Sequence, residues 1–169
     1  RGFKFRFPLD VQFIFTANPE DYTNRGSIIT PLKDRIQSQI FTHYPQTIGI
    51  GRAITKQEIK LSPFQKESII VPELIEKLIE QIAVEARDNE FIDEKSGVSA
   101  RLPISAYETV VSAVERRMLI NGEKKGTARI GDLLAAIPAI VGKIELVYEG
   151  EQEGAVNVAH RLISEAIRT

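Results

Sequence analysis

Val11-Gln-Phe-Ile-Phe-Thr-Ala-Asn-Pro-Glu-Asp21 is the stretch on which the reading of the fold turns. Val11, Phe13 and Phe15 alternate with Gln12, Ile14 and Thr16, so both faces are apolar apart from Gln12 and Thr16. This period of two predicts a strand buried inside a sheet. Asn18-Pro19 ends it, because proline donates no ladder hydrogen bond and favours a turn. An amide side chain is thereby expected at the carboxyl end of a buried strand, where open α/β sheets bind ligands. An asparagine that merely starts a turn fits the same residues.

The segments on either side extend the pattern. Upstream, Phe3, Phe5 and Phe7 alternate with Lys4 and Arg6 and stop at Pro8, which predicts an edge or hairpin strand. Downstream, residues 24–36 are expected to hold a short helix, capped by Thr30 with Pro31 in its first turn and Arg35 near its end. Gln39 to Tyr44 reads as another strand, closed by Pro45. His43 has no second histidine or cysteine beside it, so a solvated or hydrogen-bonded strand histidine outweighs a metal ligand.

Beyond residue 50 the period changes to that of helices. Thr55, with Glu58 at the capping-box position, predicts a helix to about Leu61, broken by Ser62-Pro63. Pro72 opens a strong helix over 73–89, with Leu74, Ile75, Leu78, Ile79, Ile82 and Ala86 as its apolar stripe. Glu73, Glu76, Lys77, Glu80 and Glu85 read as its solvated face. Arg101-Leu-Pro103 begins a helix to about Leu119, in which Tyr107, Val110, Val111, Val114 and Met118 recur at helical spacing. Arg116 and Arg117 are expected near its end, where cations suit the helix dipole. Asn121 to Gly126 is a loop, Ile130 to Val141 a helix kinked or ended near Pro138, and Glu145 to Glu153 an acidic, turn-rich stretch. Val156, Ala159, Leu162, Ile163 and Ala166 form a last amphipathic helix. The switch from strands to helices puts the expected boundary near residue 50.

Composition narrows the function classes. The 169 residues are enough for one good core or two small ones. With 22 Lys+Arg against 23 Asp+Glu, nothing global favours nucleic acid or an anionic membrane. The absence of cysteine removes disulfides, thiolate nucleophiles and cysteine-based zinc sites. No apolar run approaches the roughly 20 residues of a membrane span. The chain begins with Arg and no signal-peptide pattern follows, so an internal or C-terminal piece of a cytoplasmic protein is expected.

Three motifs carry a resemblance. Thr16-Ala-Asn-Pro-Glu-Asp21, then Ile29-Thr-Pro-Leu-Lys-Asp-Arg-Ile36, resembles the sensor 1 strand and arginine-finger segment of AAA+ ATPases, nearest the magnesium chelatase ATPase-subunit and MoxR-like branch. Ser96-Gly-Val-Ser-Ala-Arg-Leu102 resembles the sensor 2 motif of their helical lid. The resemblance covers roughly the first two-thirds of the chain. It implies the C-terminal part of a P-loop α/β core over residues 1–50 and a helical lid with C-terminal helices over 51–169, with more helix than strand. It further implies that Asn18 orients the attacking water, that Arg35 reaches the nucleotide of a neighbouring subunit, and that Arg101 touches the same phosphates. Arg25, in Thr23-Asn-Arg-Gly26, is a second finger candidate ranked after Arg35. ATP and Mg²⁺ are implied for the intact protein, none for this piece alone. Self-association into a ring, hexameric by the resemblance, and a partner or client protein are implied too, without membrane or nucleic acid.

The chemistry agrees with those residue types. Phosphoryl transfer needs charge stabilisation and a positioned water more than covalent groups. An amide donates and accepts at once, which suits Asn18 to a water. Guanidinium forks stay charged and match phosphate oxygens, which suits Arg35 and Arg101. Each has a plainer alternative: an ion pair to a remote carboxylate for Arg35, and to Asp93 or Glu94 for Arg101. Glu20 and Asp21 suit capping and turns before a subunit contact. Two departures stand out: no Walker-type phosphate loop or acidic magnesium-binding strand end occurs in the chain, and Ile36 stands where the resembling proteins carry an aromatic. This piece alone is therefore expected to be inactive as an ATPase. The competing readings are a Holliday-junction helicase-type motor, against which the acidic Glu149-Gly-Glu-Gln-Glu153 speaks, and a non-enzymatic helical interaction module.

Overall fold

The pattern of apolar residues past position 50 asks for helices that share one core, and the computed structural model supplies them. It describes residues 10–16, 34–93 and 97–169. Helix accounts for 60% of the described residues and strand for 4%, so helix predominates among them. The chain divides into two units, residues 1–41 and 42–169.

In the first unit the described residues form neither helix nor strand. Val11, Phe13, Ile14 and Phe15 are exposed, which corrects the expectation of a buried strand over 11–16. The alternation survives locally: the Phe13 and Phe15 rings lie on one side and stack at 6.1 Å, 10° from parallel. Alternation decides which side chains share a face, but burial needs a second strand to satisfy the backbone, and no described segment pairs with this one. The same holds for 39–44, which is irregular rather than a strand. Asp34 and Arg35 sit in a turn. Asn18, Arg25, the Phe3–Phe7 strand and the Thr30 cap lie outside the described residues.

The second unit is helical. Its elements are α1 (Ile48–Glu58), α2 (Pro63–Ser68), β1 (Ile69–Ile70), α3 (Glu73–Arg87), α4 (Leu102–Asn121), β2 (Gly126–Thr127), a 3₁₀ stretch (Ile130–Ala136), α5 (Ile137–Val141), α6 (Tyr148–Glu153) and α7 (Ala155–Arg168). The α1 cap is Thr47, whose side chain accepts the Ile50 N–H at 3.2 Å, and not Thr55, which lies buried in the last turn. The helix stops at Glu58 because Ile59 is extended before the Ser62-Pro63 start of α2. Ser62 and Gln65 form a reciprocal capping box there. Pro138 falls in the first turn of α5, where a missing N–H costs nothing, so the 3₁₀ stretch ends and α5 begins around it. Residues 148–153, expected to be turns, make the short α6 instead.

The core lies where α3, α4, α5 and α7 meet. Ile79, Ile82 and Ala86 of α3 pack with Val110, Val111 and Val114 of α4 and with Leu162 of α7, all buried. Leu74, placed on the apolar stripe by its spacing, is 56% exposed, whereas Ile75 beside it is buried. β1 pairs in parallel with β2, and the Ala128 N–H extends the ladder to the Ile70 carbonyl at 2.9 Å. Gly126 is required at that crossing, since a Cβ would stand 2.6 Å from Met118 Sδ and 2.8 Å from Val114 Cγ1. Asn121-Gly122 closes α4 with Gly122 in the left-handed region, φ 68°. Because α4 runs on to Asn121, Arg116 and Arg117 stand before its last turn. Arg117 serves no dipole but bonds the Thr127 carbonyl at 2.9 Å and Asp132 at 3.1 Å.

Candidate functional site

Of the four residues singled out by sequence, Arg35 and Arg101 are described. Arg35 is exposed in its turn in the first unit. Arg101 is in the second, immediately before α4, with φ −87° and ψ −2°. Its N–H donates to Ser99 Oγ at 3.3 Å and its carbonyl accepts the Ser105 N–H at 3.0 Å, so the backbone is fixed at the start of a 20-residue helix. The guanidinium is exposed and makes no hydrogen bond or ion pair to a described residue, Asp93 included. Glu94, the other alternative partner, lies outside the described residues. A cation at a helix amino end opposes the dipole by a few tenths of a kcal/mol, a cost here offset by no described carboxylate.

The loop that carries Arg101 is tied to the segment before α1. Tyr44 Oη donates to the Val98 carbonyl at 2.7 Å and accepts the Val98 N–H at 3.2 Å. Arg87, at the end of α3, lays its guanidinium 4.1 Å from the centre of the Tyr44 ring. Arg87 Nε is buried with no hydrogen-bond partner. Burial pushes the Arg87 pKa down, opposed by Tyr44, Glu80 and Asp88.

Between α1 and α3 lies a group the sequence reading assigned to solvent. Glu76 and Glu80 are 7% and 6% exposed, which corrects the view that the whole charged face of α3 is solvated. The reason is tertiary: α1 lies across this face. Thr55 donates to Glu80 Oε1 at 2.6 Å, and Gly51 leaves room for Oε2, which a Cβ at 51 would approach to 2.5 Å. Arg52 spans Glu76 Oε2 at 2.6 Å and Glu73 Oε1 at 3.0 Å, and Lys56 holds Glu76 Oε1 at 2.9 Å. Burial pushes the Glu80 carboxyl up; the Thr55 bond and the cations Arg87 and Arg52 pull it back. The one legible signal was Thr47, Gly51 and Thr55, small or polar at a spacing of four along α1 opposite the charges of α3.

A cleft of about 180 Å³ opens beside this group, lined by Pro45, Thr47, Gly51, Glu80, Gln81 and Arg87. Ligand sites run from roughly 300 Å³ upward, so the cleft admits waters or a small polar group but not a whole nucleotide. Its carboxyl and guanidinium are engaged with Thr55 and Tyr44. Among the described residues no cluster of three histidine or acidic side chains is placed to hold a metal ion. No helix among them is long and apolar enough to cross a membrane. Comparison with protein-family models, curated proteins and solved structures gave no match.

Proposed function

We propose that this chain supplies sensor and arginine-finger residues to a ring-forming AAA+ ATPase of the magnesium chelatase subunit or MoxR-like kind. Its ATP hydrolysis would drive remodelling of a partner protein or a metal-insertion complex, in the cytoplasm. The observation that carries this reading is Arg101: an exposed guanidinium, paired with no described residue, at the amino end of a long helix, in the motif resembling sensor 2. The helix start fixes the backbone from which its forked donors can reach phosphate oxygens. Asn18 would position the attacking water, and Arg35, or failing it Arg25, would neutralise developing charge from the next subunit. ATP and Mg²⁺ belong to the intact protein, whose phosphate loop is not in this sequence.

The test uses the protein in which this sequence is joined to a phosphate loop. Arg101→Ala is expected to weaken nucleotide affinity and lower turnover together, whereas Asn18→Ala lowers turnover with affinity nearly kept. Turnover unchanged in both variants removes these residues from a nucleotide site. The non-enzymatic interaction module would then stand, favoured by the exposed apolar residues at the far end of α4.

A further inference from the structure

The carboxyl end of α4 exposes what a folded domain usually hides. Leu119 and Ile120 are 71% and 72% exposed. Ile120 borders a groove of about 250 Å³ shared with Ala113, Asn121 and the stems of Arg116 and Arg117. Arg116 on its wall, and Lys124 and Lys125 just beyond the end of the helix, are exposed and make no ion pair with a described residue. Apolar residues exposed beside cations that pair with no described residue suit a docking surface. Over Arg116 to Arg129 five cations face one carboxylate, Glu123, in a chain whose net charge is −1. The compensating negative charge is concentrated elsewhere.

It is concentrated on α6. Glu149, Glu151 and Glu153 are exposed and form no salt bridge with a described residue, although Glu153 lies close enough to Arg161 to favour its charge, and Tyr148 beside them is 69% exposed. The two patches cannot meet within one chain. The segment entering α6 runs beside the segment entering α4: the Ser99 N–H bonds the Lys143 carbonyl at 3.1 Å, Asp93 N–H the Glu145 carbonyl at 2.9 Å, and Val147 N–H the Phe91 carbonyl at 3.1 Å. The acidic patch thus starts at the amino end of α4 and the basic groove sits at its carboxyl end. The 20 residues between span about 30 Å at ~1.5 Å each.

We propose that these ends dock copy to copy, the Tyr148 and acidic edge of α6 on one chain seating in the groove beside Ile120 of the next. Tyr148 fits as the anchor: aromatics dominate interface energies, and the exposed Arg116 on the groove wall can meet its ring. Glu149, Glu151 and Glu153 face Arg116, Lys124 and Lys125. A second copy fits better than nucleic acid, because the patch presents aliphatic residues and no aromatic for bases to stack on. The contact joins two different surfaces, so repetition makes a ring or a filament and not an isologous dimer. It goes beyond the ATPase reading, since it needs no nucleotide and is measured without hydrolysis.

The test is charge reversal in the full-length protein, followed by sedimentation velocity without nucleotide. Lys124→Glu/Lys125→Glu and Glu151→Lys/Glu153→Lys are each expected to weaken self-association by about tenfold or more at low salt. All four residues are exposed, so circular dichroism should match the unaltered protein. An equimolar mixture of the two variants should associate again, and so should a chain carrying all four changes. Tyr148→Ala should weaken association by about tenfold, and that loss should persist at high salt. Association unchanged by either reversal overturns the proposal, as does a mixture that fails to recover. Loss of duplex DNA binding in the lysine variant, with self-association intact, would reassign the patch to nucleic acid.

Discussion

Glu80 is the residue whose behaviour depends most on its surroundings. Its carboxyl is buried by α1, bonded by Thr55 and faced by Arg52 and Arg87, and burial dominates, so its pKa lies above the ordinary 4.5. The folded state then holds this proton more tightly than the unfolded chain does. Below 4.5 both states are protonated and Glu80 contributes no pH dependence. As pH rises from there through the raised value, stability falls, and the full cost of burying the charge is present above it. Glu80→Gln keeps an acceptor for Thr55 and carries no charge at any pH. It is expected to remove that slope and be more stable than the unaltered protein at neutral pH, as measured by urea unfolding between about pH 4 and 8. An unaltered slope would show that Arg87 and Arg52 hold the carboxylate ionised throughout. Arg101 is the opposite case, a charge with no described partner, which is why it serves as a functional candidate rather than a structural one.

At the scale of elements, α1 is joined to α3 by polar contacts more than by apolar ones. Its buried residues are Gly51 and Thr55, while Ile50 and Ile54 face outward at 49% and 45% exposure. Arg52 is the main tie, and its partners differ in worth. The bond to Glu73, a residue open to water, adds little. The bond to Glu76 satisfies a carboxylate that is nearly dry. Arg52→Ala leaves Glu76 with Lys56 alone, so it should lower stability, but by less than orphaning a buried charge outright. Hydrogen exchange should show α1 opening more often while α3, α4 and α7 keep their protection. Equal loss of protection everywhere would make α1 part of the cooperative core. In α4 the register of Tyr107, Val110, Val111, Val114 and Met118 is buried along its whole length, as expected of a central helix.

At the scale of the molecule, the AAA+ reading requires a ring, and Arg35 is the residue that tests it. A finger acts on the nucleotide of the neighbouring subunit, so its effect depends on which subunits share an interface. Full-length Arg35→Ala subunits and subunits disabled in the phosphate loop are each expected to be inactive alone. Mixed, they should regain part of the ATPase activity, at interfaces that pair an intact loop with an intact Arg35. No recovery in rings shown to be mixed would move the finger to Arg25. The docking of α6 into the α4 groove is a separate contact, and its loss would be seen in association whether or not the finger assignment holds.

The sequence by itself determined α3, α4 and α7 of the second unit, but not the start of α1 or the short α2 and α6. The period of 3.6 in α3, α4 and α7, the Ser62-Pro63 and Asn121-Gly122 punctuation and the position of Pro138 are local physics, legible wherever one face is apolar and the ends carry their signals. It also singled out Arg101 at a helix start. Only the tertiary structure decided the rest. The alternation from Val11 to Thr16 could not reveal whether a neighbouring strand would cover it, since period two reports a face and not a partner. Nor could the charge pattern of α3 reveal that Glu76 and Glu80 lie under α1. A carboxylate opposite the apolar stripe reads as solvated until another helix, with Arg52, Lys56 and Thr55 at the right turns, is laid across it. Burial belongs to pairs of elements, and one-dimensional periodicity describes elements one at a time.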